Sequence, residues 1–242
     1  MPIESHIINQ VKLNDPVRRE MFQLHDRYFA NLDKGRFMQD LSEKHWVILL
    51  KDTRGALAGF STVQLIKTNV SGLCTLFIFS GDTIVDQSHR QNSALAGSFG
   101  HVMLRVLQEH PQIPIYWYLI CKGYRTYRFL PTFFNEFYPH YDRERPKEIE
   151  NLIHRVSHFK FGNAYDPHAG VIRFREQRDC LRPQYSDIPE SRLCDPHVAF
   201  FLQKNPQFAR GDELACLAAV TRENLNRFAW RVIDHTQVQW HD

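Results

Sequence analysis

Residues 77–104, FIFSGDTIVDQSHRQNSALAGSFGHVML, carry a strand, a polar turn and the start of a helix in one stretch. The apolar run ends at Val85, Arg90 and Gln91 lie in the turn, and Ser93, Ala94, Ala96, Gly97 and Ser98 open a helix expected from about Asn92 to Glu109. The first N–H groups of a helix have no intrahelical partner, and its dipole favours negative charge there. A corner of this kind, with side chains small enough to let a ligand reach the backbone, is a workable diphosphate cradle. The same small residues also suit close packing of a helix on a sheet, and both readings stand. Gly81, inside the apolar run, predicts a bulge or a close backbone approach. Asp82 beside it either caps that irregularity or serves chemistry.

Upstream, residues 7–13 alternate loosely and predict a first strand. Asn14-Asp15-Pro16 is a helix start, a capping side chain followed by proline in the first turn. Val17, Met21, Leu24, Tyr28 and Leu32 then recur at steps of three and four, one helical stripe reaching residue 32. A short helix is expected over 36–43. The period changes at HWVILLK (45–51), which with the turn Asp52-Thr53-Arg54-Gly55 and residues 56–68 reads as a β-hairpin. A second turn at 69–72 leads into a strand over 73–85. Downstream, Pro111 and Pro114 end the helix, and IYWYLIC (115–121) is β-rich. A helix is expected from about 125 to 137, with Pro131 either kinking it or marking its true start near Leu130. Residues 45–140 thus read β-β-β-α-β-α behind a helical preface. Beyond Tyr141 the signals thin to a helix over 146–161, a short strand at 170–175 and a last helix from Thr221 through Ile233. A boundary near residue 142 divides the chain into 1–142 and a mainly helical 143–242, which can pack back as a lid.

Composition narrows the function classes. With 43% hydrophobic and 24% charged residues among 242, a disordered chain is excluded. A formal charge of +3 is too mild to argue for nucleic acid, yet compatible with an anionic ligand at one site. No apolar run approaches the ~20 residues a membrane helix needs, and no secretory signal opens the chain. Cys74, Cys121, Cys180, Cys194 and Cys216 form no CxxC pair and read as reduced thiols of a cytoplasmic protein, Cys121 as inert core. The 13 histidines are scattered; His154 and His158 share a helix face, but solvated or core-edge positions are the better reading, and no metal is expected.

In the order of its elements (two helices, a hairpin, a strand feeding the turn and helix, then another strand and helix) the chain resembles the GCN5-related N-acetyltransferase (GNAT) superfamily over roughly residues 1–140. The family motif at the turn is Gln/Arg-x-x-Gly-x-Gly/Ala. Gln91-Asn92-Ser93-Ala94-Leu95-Ala96 is similar to it, with Ala94 in the middle glycine place. Residues 116–141 also look like a stretch of bacterial acyltransferase-like proteins. The resemblance implies an α/β (α+β) fold with a mixed, mostly antiparallel central sheet flanked by helices. It implies an N-acyltransferase that moves an acyl group from acetyl-coenzyme A, or a longer acyl-coenzyme A, to a small-molecule or protein amine by direct attack. The pantetheine arm would lie where the strand ending at Val85 and the strand 115–121 part, with the carbonyl polarised by a backbone N–H near the bulge.

Carried over residue by residue, the resemblance places Val85, Arg90, Gln91, Asn92, Ser93, Ala94, Leu95, Ala96 and Tyr127 on the coenzyme and makes Asp82 the base. Tyr127 stands where the family has an asparagine and Phe134 where it has the acidic tyrosine. The thiolate-protonating group is therefore unassigned, with Tyr127, Tyr138 and Tyr124 as candidates. Phe129, Phe133, Phe134 and Phe137 either line a channel for a longer acyl chain or, as the better reading, form plain core. The rival function is a non-catalytic module of the same fold that binds an acyl-thioester. No nucleic-acid or membrane partner is expected, and a homodimer is left open.

Overall fold

The computed structural model describes residues 3–174, 176 and 178–242. Eleven strands and ten helices follow one another among them. The strands are Ile3–Asn9 (β1), Phe29–Ala30 (β2), Trp46–Asp52 (β3), Leu57–Val70 (β4), Leu73–Val85 (β5), Ile115–Cys121 (β6), Tyr165–Asp166 (β7), Val171–Ile172 (β8), Cys180–Leu181 (β9), Glu213–Ala219 (β10) and Val238–His241 (β11). The helices are Asp15–Tyr28 (α1), Lys34–Ser42 (α2), Ala94–Glu109 (α3), Tyr124–Tyr127 (α4), Phe129–Phe133 (α5), Lys147–Phe161 (α6), Pro183–Ser186 (α7), Glu190–Leu193 (α8), Pro196–Lys204 (α9) and Arg227–His235 (α10).

Nine strands form one sheet in the order β11-β1-β3-β4-β5-β6-β10-β8-β7, and β2 pairs with β9 separately. Neighbours run antiparallel except for β1 with β11 and β5 with β6. The mixed, mostly antiparallel sheet matches the expectation. Residues 143–242 carry helices α6 to α10, and they also supply β10 beside β6, β8 and β7 at one edge and β11 at the other. The sheet therefore runs through residue 142 without a break.

Period-2 alternation sorts the core. Leu76 and Ile78 of β5, Trp117, Leu119 and Cys121 of β6, and Leu214 and Cys216 of β10 pack on one face with α3, α9 and α10. Phe77 and Phe79, Tyr118, and Ala215 and Leu217 point to the other face. There the helices form two separate clusters, α1 and α2 over β3 and the near end of β4, and α6 over β5, β6 and β10. The gap between these clusters is where the candidate site lies.

Local chemistry sets the ends of several elements. Asn14 Oδ1 accepts from Val17 N at 3.0 Å to cap α1, as the sequence predicts. α1 stops at Tyr28 rather than 32, because Phe29–Ala30 turns extended to pair with Cys180–Leu181. The single helix expected over 125–137 is two short ones: Pro131 has no N–H to continue the ladder, and the chain is extended at Phe134, which bridges Leu225. The last helix starts at Arg227, where Asn226 Oδ1 caps Ala229 N at 2.9 Å, not at Thr221. The strand expected at 170–175 is Val171–Ile172, with Arg175 outside the described residues. All five cysteines are free. Among the described residues no helix is long and apolar enough to cross a membrane.

The small residues of α3 serve packing from Gly97 onward. A methyl group added at Gly97 would overlap Thr236, and one at Gly100 would overlap Ile233. Ser98 Oγ donates to Ala94 O at 2.7 Å and pairs with Ser5 Oγ. Gly100→Ala should therefore push α10 off α3 and destabilise the fold by about 1–3 kcal/mol. Thermal unfolding checks this: the midpoint should fall by about 2–4 °C for each kcal/mol lost.

Candidate active site

β5 and β6 are joined only from Leu76↔Ile115 to Ser80↔Leu119. Beyond Ser80 the two strands part: β5 continues against β4, and Ile120 and Cys121 continue against β10. At the parting point β5 carries one extra residue opposite β4, between Phe60↔Ile84 and Thr62↔Gly81. That bulge holds Asp82 at φ 37°, in the left-handed region that non-glycine residues rarely adopt. The glycine in the sequence marks the irregularity, and Asp82 is what the irregularity aims.

The side chains at the gap enclose a cavity of about 210 Å³. Its floor is Phe79, and its walls come from α1 (His25), α2 (Arg36, Asp40), the end of α6 (Lys160) and the starts of the segments after β6 and β8. Lys122, the residue after the apolar run of β6, reaches into it. Its Nζ lies 2.6 Å from Asp179 Oδ2 and 3.5 Å from Glu213 Oε1. The antiparallel register Leu214↔Cys121 is what sets Glu213 beside Lys122. Burial alone would lower Lys122, and the Glu213 and Asp179 carboxylates more than reverse that. Burial raises Glu213, with the ammonium opposing. Burial also works against ionised Asp179, but Lys122 holds its carboxyl below the usual range. His25, sunk under Phe29, Phe37 and Phe60, is lowered by burial to about 4 and is neutral near pH 7.

Asp82 differs from its acidic neighbours. Among the described residues its carboxylate has no hydrogen bond and no ion-pair partner within 4.0 Å. Burial first, then the nearby charge of Asp40, raises it to about 7, with Lys44 and Lys122 opposing. An unpaired carboxylate poised near neutrality, on a bulge, in a cavity, has the properties of a general base.

The strand-to-helix corner past Val85 is present. Gln87–His89 makes one 3-10 turn, and Asp86 ties it down by accepting from Ser88 N at 3.1 Å, Ser88 Oγ at 2.6 Å and Tyr28 OH at 3.1 Å. Gln91, Asn92 and Ser93 are exposed, Ala96 is half-buried, and Ala94 and Leu95 are buried. Asn92 Oδ1 accepts from Ala94 N at 2.7 Å, while Ser93 makes no side-chain cap. The amides of Leu95 and Ala96 have no partner among the described residues. Arg90 folds back so that Nε donates to Val85 O at 3.3 Å, and its guanidinium lies against the rings of Tyr28 and Tyr185, which pack on each other at 4.6 Å.

The C-terminal segment crosses this corner. Arg182 N donates to Tyr28 O at 2.9 Å, Leu181 packs against Gly123, and Tyr185 O accepts from Arg125 Nη1 at 3.4 Å. Tyr185 thereby touches Arg90, beyond β5, and Arg125, beyond β6, and spans the mouth of the parting strands. Neither arginine has an ion-pair partner among the described residues. Nothing in the sequence of 178–188 announces this role.

The tyrosines expected to protonate the thiolate do not line the cavity. Tyr127 is wholly buried, its OH donates to Pro139 O at 2.8 Å, and burial raises it far beyond its ordinary value. The break between α4 and α5 turns it into the core beside Phe137, Phe200 and Phe201. Tyr138 faces a separate hollow with Tyr116 and Asn135, its OH donating to Glu136 Oε1 at 2.7 Å. Tyr124 is buried in the core. The Phe-rich stretch encloses only about 20 Å³ between α3, α5 and α10, so it is core.

No family model matches the chain, and no curated protein matches it. Among solved structures, similarity extends to a conserved Enterococcus faecalis protein described as a probable N-acyltransferase, at 14% identity and TM-score 0.42, covering 55% of this chain and 33% of that one. An acetyltransferase of the GNAT family from Staphylococcus aureus is similar at 14% identity and TM-score 0.39, over 61% of this chain and 90% of its own. A GNAT family N-acetyltransferase from Escherichia coli, in complex with coenzyme A, is similar at 16% and 0.37, over 53% and 69%. Likeness at this level is too slight to decide what the chain does, so the functional reading rests on the geometry of the site.

Proposed function

We propose that this protein is an N-acyltransferase that passes a short acyl group from acyl-coenzyme A to an amine held in the cavity at the parting of β5 and β6. The observation that carries the reading is Asp82, an unpaired carboxylate raised toward neutrality at the bulge. The amine nitrogen attacks the thioester carbonyl carbon, forming the C–N bond. Asp82 takes the proton that nitrogen sheds, and the C–S bond breaks to release the thiolate. The free amides of Leu95 and Ala96, with Arg90 and Arg125 lacking carboxylate partners, suit the diphosphate of the co-substrate. The filled aromatic core around α5 leaves no channel for a long chain and favours acetyl as the group transferred.

Thiol release from acetyl-coenzyme A against a panel of amines tests the reading. Release that depends on the amine supports it; thermal protection by coenzyme A without any release would leave a binding module instead. The pH dependence carries a signature. Asp82 works only when ionised, so kcat/KM should climb about tenfold per pH unit up to near 7 and level off above. That limb should stay in place when the amine is exchanged for one of different basicity, whereas a limb set by the amine would move with it.

A further inference from the structure

We infer that the acceptor is a small zwitterion of the amino-acid class, its amine at Asp82 and its carboxylate against Lys44, Lys160 and Arg178. The inference rests on the acyl-transfer reading and adds the identity of the second substrate. The cavity gathers charges of both signs. Toward the parted strands stand three carboxylates, Asp82, Asp179 and Glu213, of which only Asp179 and Glu213 pair with the ammonium of Lys122. The wall built by α2 and the residues just after it, the end of α6 and the segment after β8 presents Arg36, Lys44, Lys160 and Arg178 with Asp33 and Asp40.

On that wall Lys160 Nζ donates to Glu43 Oε2 at 2.6 Å and Arg36 pairs with Glu176 at 3.9 Å, while Lys44 and Arg178 keep donors that are not used up. The Lys44 side chain is 1% exposed; its Nζ meets Asp40 Oδ2 at 2.7 Å as an ion pair but makes no well-aligned hydrogen bond. Arg178 Nε is buried and has no hydrogen-bond partner among the described residues. Buried donors without acceptors are costly, and a ligand carboxylate is the group that answers several cationic donors at once. Lys44 and Lys160 both stand over the Phe79 ring, at 5.1 and 5.5 Å, so the floor of the cavity gathers their ammonium heads.

The two poles line one cavity of about 210 Å³, with Lys44 over its Phe79 floor. One short molecule with an amine and a carboxylate on the same or adjacent carbons spans them. A simple amine leaves the buried Arg178 Nε without an acceptor, and a protein N-terminus brings no carboxylate next to its amine. The rings of Phe37, Phe161 and Phe174 at the margin suit an apolar side chain.

The test compares phenylalanine, phenylalaninamide and phenethylamine, and likewise leucine with its amide and its decarboxylated amine. The expected result is that the free amino acids exceed the matching amides and amines in kcat/KM by about tenfold or more. Lys160→Met should narrow that ratio through KM. Titration calorimetry of the wild-type protein reads the same preference without turnover: the amino acid should bind and the amine should not. Equal rates and equal binding for the amino acid and its decarboxylated amine overturn the inference while leaving acyl transfer intact. Amino-acid binding with no thiol release from any acceptor defeats the acyl-transfer reading and leaves the zwitterion site standing.

Discussion

Asp82→Asn should lower kcat/KM for amine acylation by about a hundred- to ten-thousand-fold, the range that removal of a positioned general base produces. The asparagine keeps the shape of the side chain and cannot take a proton. Its pH profile should lose the limb near 7, because that limb belongs to the carboxyl that burial and Asp40 raise. The fold should survive, since nothing among the described residues bonds to the Asp82 carboxylate. Stopped-flow or discontinuous thiol assays on a variant of unchanged circular dichroism settle the matter. Retention of more than about a tenth of the wild-type value, at a pH where the wild type is saturated, would falsify the assignment of Asp82 as base.

Lys122→Met should carry the largest cost in stability, about 3–5 kcal/mol, because it strips the shared ammonium from a buried carboxylate, Glu213, and a half-buried one, Asp179. Its pH dependence has a defined sign. Burial already raises Glu213, and without Lys122 the Asp179 carboxyl rises as well. A carboxyl whose folded-state pKa lies above its unfolded one favours folding at low pH and loses that contribution as pH rises through the folded value. The gap between variant and wild type in urea denaturation should therefore be widest at pH 8 and narrow at pH 5.5. A gap that is small, or the same at both pH values, means that the cluster is solvated and Lys122 is not its anchor.

Legibility followed the range of the interactions. β5 and β6 were readable to the residue, because β6 is an unbroken apolar run, β5 has an apolar centre at 76–79 buried on both faces, and turn formers stand at their ends. The cap at Asn14, the hairpin and the bulge signalled by Gly81 are likewise local. β10 was passed over because ELACLAA holds no β-branched or aromatic residue and takes its strand form from β6 beside it. Asp82 could be singled out from its place before the turn. Its partners could not: Lys44, Lys160, Asp179 and Glu213 come from segments far apart in the chain, and only the gap between two helical clusters on one face brings them together. Tyr127 was misleading because a helical place near the site says nothing of which way the side chain turns once the helix breaks.

The backbone at Asp82 has one more consequence. A non-glycine residue held at φ 37°, with its carboxylate half-buried, unpaired and raised by its surroundings, works against folding on two counts. Asp82→Gly relieves both and should raise the melting temperature while abolishing the proposed amine acylation. Reactivity and robustness thus pull this position in opposite directions, and a sturdier but inert version of the protein lies a single substitution away.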